Sequence, residues 1–393
     1  REERMNDESR SLEGVKVLDV SRLLPGPYCS MVLADLGAQV DKLEDPRGGD
    51  FLRITPPLAD DGMGTLFHWA NRGKRSLVLD LKTDAGREAF LRILPTYDIV
   101  LEGNRPGVME RLGLGYETLR AVHPGLIYCA ITGYGQDGPL SQRAGHDINY
   151  LARGGVLGYT GPADRPPQPP GVQMADIGGG LFAVIGILAA LHARQRTGQG
   201  RFVDIAMAEA ALCLAHTGFG STVGGFQLPR GEDMLLGGIC TYNTYATKDG
   251  KAVSLGALEP KFWQSFCEGV GIPFDMRAQM PGPKQAEWKA KIADIFASRT
   301  RDEWEAFSNE HDCCLEVVFT PEEVMADAHL NARGVWVERP THKGGTVKQA
   351  RTPVAPAATG IAPKQGEHSA AVLREAGFSE DELKKLHEGG AFG

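Results

Sequence analysis

The sequence predicts an α/β protein with an open parallel sheet and more than one domain. Residues 15–20 form a short apolar run typical of a buried strand, residues 29–36 have a helical pattern that stops at Gly37, and residues 39–43 form a second strand. A strand, a helix and a strand in this order favour a parallel pair. The chain has 393 residues, more than one simple core usually contains, so two domains are expected.

The alternation of strands and helices continues through the first half of the chain. Further strands are predicted at residues 76–81, 98–101, 126–132 and 201–205, and helices at residues 84–94 and from Asp176 to about Arg194. Glycines cluster at residues 218–225, and this change of composition indicates a domain border near residue 220. Beyond it, residues 248–250 join two short strands as a hairpin turn does. Ser379 is predicted to begin the last helix with a capping box.

Composition and charge exclude several classes of protein. The 42 basic and 50 acidic residues give a net charge of −8, which argues against a general nucleic-acid binder. The longest apolar run, residues 181–191, is too short to span a bilayer, and the charged start does not resemble a signal peptide. The 7 scattered cysteines have no zinc-binding spacing, so we expect a cytoplasmic protein with reduced cysteines and no metal.

Two glycine-containing segments need separate interpretations. Residues 23–28 are predicted to form a loop, and Pro25 and Pro27 lack the amide donors that a pyrophosphate would use, so a dinucleotide site is rejected there. Residues 133–138 match Gly-x-Gly-x-x-Gly after a strand, but Pro139 and the polar residues after it do not look like a helix. This second segment is predicted to be a turn that lines a ligand site.

Several basic residues lie near predicted loop or helix ends. They are Arg72, Lys74, Arg75, Arg105 and Arg111. Arginine side chains and backbone amides at such ends suit phosphate groups, although a solvated basic rim has the same composition. Residues 102–107 also lie where a strand ends and a helix begins, which is the usual place for a ligand in an open α/β sheet.

Two titratable residues border the glycine- and proline-rich segment 145–180. Asp176 precedes three glycines at a predicted helix start, so it is either an N-cap or a carboxylate that the helix dipole keeps ionised as a base. The glycines would let a substrate approach the backbone closely. His146 follows Gly145 in a loop, where a lone histidine is usually solvated. Each residue is ambiguous by itself.

The whole pattern resembles the family III CoA-transferases (CaiB/BaiF), and most of all the racemase branch of that family. The matching stretches include EGNRPGVMERLGLG at 102–115, AGHDINYLARGG at 144–155, ADIGGGLFAVIGILAAL at 175–191 and TYATKDGKAVSLGALEPKFW at 244–263, and together the matches cover nearly the full length. Transferases of the family use an aspartate that matches Asp176. Racemases also have the segment that contains His146, thirty residues before it (176 − 146).

The resemblance implies epimerisation of 2-methylacyl-CoA thioesters by 1,1-proton transfer at the α-carbon. His146 and Asp176 would be the two bases on opposite faces of the substrate, and Glu259 would support the histidine. Asp147 also matches a residue of the racemase pattern and is included among the catalytic residues. The alternative is an enzyme that moves CoA between carboxylic acids through a covalent intermediate on Asp176. A third reading is a CoA-binding protein without turnover.

The proposed reaction passes through an enolate and needs CoA only as part of the substrate. The amides of Gly178 and Gly179 are candidates to bind the enolate oxygen. The residues expected to bind the substrate and its CoA are Lys42, Arg72, Lys74, Arg75, Asn104, Arg105, Arg111, Tyr134, Gly135 and Gln136. Some racemases have a CoA-binding arginine where this sequence has Asp45, and Lys42 is the candidate to replace it.

The resemblance also implies a specific architecture. An open Rossmann-like, parallel-sheet large domain is built from both chain ends, and a smaller central α+β domain is inserted between them. The expected borders give residues 1–220 and 336–393 to the large domain and residues 221–335 to the small one. Two chains interlock in a homodimer, so that Glu259 would reach His146 of the other chain.

Overall fold

The computed structural model describes residues 11–226, 229–355 and 360–392, and the chain divides into two compact units. The first unit comprises the described residues up to Arg153, Val172–Ala211 and those from His329 onward, and the second comprises Gly154–Gly171 and Leu212–Ala328. The domain borders predicted at residues 220 and 335 stay predictions.

A six-stranded parallel sheet is the framework of the first unit. Its strands are β1 (Lys16–Asp19), β2 (Gln39–Glu44), β3 (Arg75–Val78), β4 (Ile99–Glu102), β5 (Ile127–Thr132) and β6 (Phe202–Ala206). Their order across the sheet is β3-β2-β1-β4-β5-β6, with every pair parallel, which confirms the predicted parallel α/β sheet. The strand order reverses between β1 and β4. A crevice therefore forms at the carboxyl ends of these strands, where open α/β sheets bind ligands.

Seventeen named helices follow or precede these strands in the described residues. Numbered along the chain, they are α1 (Pro25–Asp35), α2 (Thr65–Ala70), α3 (Asp84–Ile93), α4 (Val108–Arg111), α5 (Tyr116–Val122), α6 (Asp147–Arg153), α7 (Val156–Tyr159), α8 (Met174–Thr197), α9 (Met207–Leu214), α10 (His216–Val223), α11 (Pro260–Val270), α12 (Gln285–Phe296), α13 (Arg301–Glu310), α14 (Pro321–Ala326), α15 (Ala328–Ala332), α16 (Ser369–Glu375) and α17 (Glu380–Glu388). Ser379 caps α17 in a capping box with Glu382, as predicted.

Helix α1 begins inside the segment that was predicted to be a loop. Pro25 is its first residue and Pro27 also lies in the first turn. The prediction of a loop is wrong here because the first amides of a helix have no intrahelical acceptor, so proline costs little at these positions. Gly26 lets this turn approach Ser21, because a Cβ at Gly26 would lie 2.1 Å from the Ser21 Oγ.

Helix α8 packs on α1, β5 and β6 through small residues. A Cβ at Gly180 would lie 2.8 Å from the carbonyl oxygen of Pro25, and a Cβ at Gly179 would lie 2.8 Å from the Met207 Cγ. By length and composition alone α8 could cross a membrane, but half of its most apolar window is buried inside the protein. Its packing against the sheet is that of a core helix.

The second unit contains a small antiparallel sheet. Strands β7 (Tyr242–Ala246), β8 (Ala252–Gly256) and β9 (Leu315–Val317) lie in that order, and β7 and β8 form the predicted hairpin. The rings of Trp263, Phe266, Phe296 and Trp304 from α11, α12 and α13 form the centre of its core. A separate two-stranded sheet, β10 (Trp336–Pro340) with β11 (Thr346–Ala350), belongs to the first unit.

The cysteines agree with the prediction of reduced thiols. All 7 lie among the described residues and all are free. Within residues 11–226, 229–355 and 360–392, no cluster of three or more His, Cys, Asp or Glu side chains could hold a metal ion.

Candidate active site

His146 lies directly before α6 and is exposed. Its backbone amide donates to the Asn149 Oδ1 at 3.0 Å, and its carbonyl oxygen accepts from the Asn149 amide at 2.8 Å. Asn149 thereby fixes the backbone of His146 at the start of the helix. The imidazole remains at the surface of the first unit, where a substrate can reach it.

Asp147 joins the start of α6 to the start of α8. Its Oδ1 accepts from the backbone amides of Ala175 and Asp176 at 2.8 and 3.1 Å. The first amides of a helix lack intrahelical acceptors, so this carboxylate satisfies two of them at once. The contact brings the residue after His146 onto the helical turn that carries Asp176. The structure thus brings these three predicted residues together, while their catalytic roles stay predictions.

Asp176 is not the N-cap of α8. The helix begins at Met174 with Gln173 at the N-cap, so Asp176 lies in the first turn. The prediction of a capping Asp176 is wrong because the carboxylate of Asp147, from another helix, takes the capping hydrogen bonds. The side chain of Asp176 is therefore left for other chemistry.

The carboxyl group of Asp176 titrates near neutrality. Burial, followed by the negative charge of Asp147, raises the pKa of Asp176 from its ordinary 3.8 to about 7. Both effects oppose the ionised form of Asp176 that the helix dipole was predicted to favour. Below about pH 7 the group is an acid with a proton to donate, and above it the group is a base.

Tyr150, on the next turn of α6, is a residue that the sequence analysis missed. Its hydroxyl donates to the carbonyl oxygen of Gly145 at 2.5 Å, directly before His146. Its ring lies edge-on to Tyr134 with 5.2 Å between the ring centroids, and a Cβ at Gly133 would lie 2.4 Å from it. Burial, then the charge of Asp176, raises the pKa of Tyr150 to about 12. Tyr150 therefore supports the backbone directly before His146, and its place one helical turn after His146 was the available signal.

Gly178 and Gly179 do not offer free amides. Because α8 begins at Met174, both glycines lie in its second turn, where each amide bonds to the carbonyl four residues earlier. Both are buried, and they serve close helix packing. Their predicted role in binding an enolate oxygen is therefore corrected. The amides of Asp147 and Ile148 belong to the first turn of α6, so they are better placed to donate.

Glu259 belongs to the second unit and caps α11. It is exposed at the end of the loop after β8, near Cys314. Cys314 has a left-handed backbone with φ of 53° and leads into β9. Glu259 is thus displayed at the surface of its own unit.

A second group of predicted residues lines a cavity of about 370 Å³ in the crevice of the first unit. Lys42, Asn104 and Arg111 lie in its wall, as do Arg22 and Lys82, which the sequence analysis missed. Arg22 follows β1 and Lys82 follows β3, so their positions after strand ends were the signal that could have identified them. Arg105 is exposed in the loop after β4 and acts electrostatically on Tyr150.

The wall of this cavity carries charges of both signs. Lys42 is fully buried, with Nζ 2.9 Å from the Asp50 Oδ2 and 2.9 Å from the carbonyl oxygen of Ser21. Glu44 receives two hydrogen bonds from the Arg53 guanidinium, at 2.6 and 2.8 Å. These pairs hold the loops after β1 and β2 in place, and the exposed Arg111 carries a charge that is open to a ligand.

The other predicted CoA-binding cations are paired with acidic residues of the protein. Arg72 is 1 % exposed and bonds Asp35 through two guanidinium nitrogens, at 2.6 and 3.0 Å. Arg75 pairs with Asp41 and Glu375. For these two arginines the structure supports a packing role in place of phosphate binding, because their guanidinium groups already have carboxylate partners.

Lys74 is a third cation with internal partners. Its Nζ lies 3.3 Å from the Asp19 Oδ2 and 2.9 Å from the Asn71 Oδ1. Burial lowers the pKa of Lys74 to about 8, against the opposing attraction of Asp19. The sequence could not reveal this, since a lysine near a predicted loop end has the same pattern whether it faces solvent or core.

Asp45 also has a cationic partner. Arg47 bonds Asp45 at 3.1 and 3.2 Å and reaches Asp80 at 2.9 Å, beside the cavity wall. An arginine therefore lies close to the edge of the cavity. It comes from the loop after β2, whereas the arginine of some racemases is expected at the position of Asp45. The side chain of Arg47 is 56 % exposed, so it can add a contact to a ligand phosphate.

The turn at residues 133–138 is not followed by a helix, in agreement with the sequence. Gly135 has a φ of 89°, and its amide donates to the Thr132 Oγ1 at 3.1 Å. The amide of Gln136 donates to the Asp204 Oδ2 at 3.1 Å. The turn is therefore fixed by the side chains of Thr132 on β5 and Asp204 on β6, and Tyr134 contacts Tyr150.

The family is decided by a match that spans most of the chain. The model of CoA-transferase family III matches residues 12–369. The chain belongs to CoA-transferase family III. The family assignment agrees with the resemblance that its motifs indicated.

The proteins similar to this chain include racemases and CoA-transferases. The α-methylacyl-CoA racemase of Mus musculus is 39% identical over 385 residues, covering 96% of both chains. The succinyl-CoA:mesaconate CoA-transferase of Haloarcula marismortui is 34% identical, covering 93% of this chain and 96% of that protein. A CAIB/BAIF family protein from Brucella suis has a similar crystal structure, with a TM-score of 0.79 at 33% identity over 93% of this chain and 99% of that one.

Proposed function

We propose that this family III enzyme epimerises 2-methylacyl-CoA thioesters by 1,1-proton transfer at the α-carbon. The observation that supports the proposal is the double hydrogen bond of Asp147 to the start of α8, which links the residue after His146 to the helical turn that carries Asp176. A racemase relative at 39% identity supports the same reaction. A transferase needs the aspartate but has no evident use for the histidine.

The proton transfers follow from the two side chains. Neutral His146 removes the α-proton of one epimer, and the protonated carboxyl group of Asp176 donates a proton to the opposite face. In the reverse direction ionised Asp176 removes the proton and the imidazolium donates it. A pKa of about 7 suits Asp176 to both roles at neutral pH, because neither protonation state is rare there.

An enolate lies between the two proton transfers and needs a hydrogen-bond donor at its oxygen. The amides of Asp147 and Ile148 open α6 directly after His146, so they are our candidates. Glu259 of a second chain in the dimer would orient the imidazole, as the family resemblance implies. The reaction needs no group besides the CoA thioester.

The CoA part of the substrate is proposed to occupy the crevice of the first unit. Arg22, Arg111 and Lys82 in the cavity wall would approach its phosphates, with Arg47 at the edge. The turn at residues 134–136 lies between β5 and the catalytic loop, so it would follow the pantetheine arm.

A homodimer with interlocked chains is proposed as the working form, in the cytoplasm. Leu181 and Ile185 of α8 are 42% and 60% exposed, and burial of such apolar groups against a second copy would stabilise the assembly. Sedimentation equilibrium would contradict the dimer if the protein had the mass of one chain at micromolar concentration.

Isotope exchange distinguishes the racemase from a CoA-transferase. In deuterated water, the enzyme should incorporate deuterium at the α-carbon of a 2-methylacyl-CoA without any acceptor acid, because each turnover passes through a base that exchanges with solvent. Mass spectrometry of the recovered thioester measures this. The transferase alternative, which the 34%-identical relative favours, predicts no exchange and an absolute need for an acceptor.

The matched control is His146→Ala, which retains Asp176. It should reduce deuterium exchange of the epimer whose α-proton His146 removes by at least about a hundredfold, the usual contribution of a general base. Unchanged exchange of that epimer in this variant would contradict the two-base pair. Trapping of an acyl group on Asp176 with hydroxylamine would instead support the transferase.

Asp147→Asn should shift the pH dependence of the reaction. The amide oxygen of asparagine can still accept from Ala175 and Asp176, but the negative charge that raises the pKa of Asp176 is gone. In the direction in which Asp176 donates its proton, the rate falls as pH rises through the pKa of Asp176. We expect this fall to move to lower pH by about one unit.

The measurement is the exchange rate of each separate epimer between about pH 5.5 and 9, with Asp147→Ala as the control. The alanine removes both the charge and the hydrogen bonds, so it should also reduce the rate at every pH. Identical pH profiles for the unaltered protein and Asp147→Asn would show that Asp147 does not set the titration of Asp176.

A further inference from the structure

Glu102 is a buried carboxyl group at the crevice, and the proposed proton transfers do not use it. It ends β4 beside the point at which the strand order reverses, and it is 4% exposed. Its Oε2 accepts from the backbone amide of Asn104 at 2.6 Å and from the Asn104 Nδ2 at 3.1 Å. Asn104 itself lines the cavity. A buried acid therefore holds a residue of the ligand-binding wall.

The loop at residues 103–107 depends on few other contacts. Gly107 ends it with a φ of 85° and caps α4, which carries Arg111 to the cavity. The carbonyl oxygen of Pro106 accepts from the Gln142 Nε2 at 3.0 Å. Glu102 anchors the start of this loop, so its hydrogen bonds determine where Asn104 stands.

Glu102 also determines the orientation of the side-chain amide of Asn104. An ionised carboxylate accepts hydrogen bonds and cannot donate one, so the amide nitrogen faces Glu102 and the amide oxygen faces away from it. An outward amide oxygen accepts from a hydroxyl, an amino group or an amide N–H. CoA carries all three of these donor groups, whereas its phosphates would need a donor from the protein.

The surroundings of Glu102 make this arrangement sensitive to pH. Burial raises the pKa of Glu102 to about 7, and the negative charges of Glu110 on α4 and Asp204 on β6 add to the effect. Tyr128 and Cys129 of β5 are its titratable neighbours in the sheet. Below about pH 7 the neutral carboxyl group can donate to the amide oxygen of Asn104, and a single orientation of that amide is no longer imposed.

We propose that Glu102 is a positioning residue for the CoA part of the substrate, which in its ionised form fixes loop 103–107 and presents the Asn104 amide oxygen to a donor group of CoA. The inference rests on the proposed binding of CoA in the crevice. It adds a pH-dependent element of substrate affinity that is separate from the proton transfer at His146 and Asp176.

The test measures the binding of free CoA by titration calorimetry between about pH 6 and 8.5, in the unaltered protein and in Glu102→Gln. The ratio of the two Kd values at each pH removes the titration of the CoA phosphates. We expect Glu102→Gln to raise Kd about tenfold at pH 8.5, because a charge-assisted hydrogen bond is replaced by a neutral one, and to leave it nearly unchanged at pH 6.

A second variant shows whether the effect passes through Asn104. In an Asn104→Ala background, Glu102→Gln should change Kd less than twofold at either pH. If Glu102→Gln fails to fold, Asn104→Ala is compared with the unaltered protein instead. Asn104→Ala should weaken CoA binding, and the part of the pH dependence of Kd that comes from Glu102 should disappear. The inference is overturned by equal Kd values at both pH values, by tighter binding of CoA to Glu102→Gln, or by an unchanged effect in the Asn104→Ala background.

Because CoA binding is measured without turnover, the two proposals can fail separately. If the unaltered protein does not bind CoA, both the proposed function and this inference are contradicted. If exchange at the α-carbon is intact and the Kd ratio is one throughout, only the role of Glu102 is overturned.

Discussion

Asp176→Asn should abolish turnover and at the same time stabilise the protein at pH 8. We expect the conversion of one epimer into the other to fall by at least about a thousandfold, because an amide is neither a proton donor nor a base at this site. The ionised carboxylate is disfavoured in the fold by burial and by Asp147, and an uncharged amide avoids this cost. The gain in the free energy of unfolding at pH 8 should be about 1–3 kcal/mol after allowance for the partial exposure of Asp176.

The pH dependence of this gain has a definite sign. The folded-state pKa of Asp176, about 7, is above its ordinary 3.8, so the folded protein binds more protons between these values. The cost of ionised Asp176 is absent below about pH 4 and complete above about pH 7. Thermal unfolding of both proteins at about pH 4 and pH 8 measures it. A variant that is inactive but no more stable at pH 8 would contradict the raised pKa.

Arg72→Ala should destabilise the first unit by about 3–5 kcal/mol, because it leaves the carboxylate of Asp35 buried without its cation. The variant also loses the hydrogen bond from Arg72 to Gln349. The shift of the denaturation midpoint in urea measures the loss. The effect belongs to folding, so the residual folded protein should bind CoA normally.

Arg111→Ala is the matched control, since Arg111 is an exposed arginine at the cavity. Its stability should change by less than about 0.5 kcal/mol, while its Kd for CoA rises severalfold through the loss of a phosphate contact. If Arg72→Ala were instead stable and defective only in CoA binding, the role of Arg72 as a phosphate ligand would be restored.

The sequence alone predicted the parallel α/β sheet and the two residues of the proposed proton-transfer pair. Apolar runs at residues 15–20 and 39–43 indicated buried parallel strands because a strand covered by helices on both faces has to be apolar throughout. Two features of the sequence indicated the candidate site. They are the segment at residues 145–150, which contains His146, and the glycines after Asp176, which allow the close packing of α8.

Only the tertiary structure decided which charges are available and in what state. Arg72 and Arg111 have the same chemistry in the sequence, yet one is paired with Asp35 in the core and the other is exposed at the cavity. Asp176 has the sequence pattern of an ionised N-cap, but Asp147 takes the capping hydrogen bonds, and burial, followed by the charge of Asp147, raises the pKa of Asp176. The physical reason is common to both cases. The energy of a charge depends on its burial and on its nearest partners, and these partners come from positions far apart in the chain.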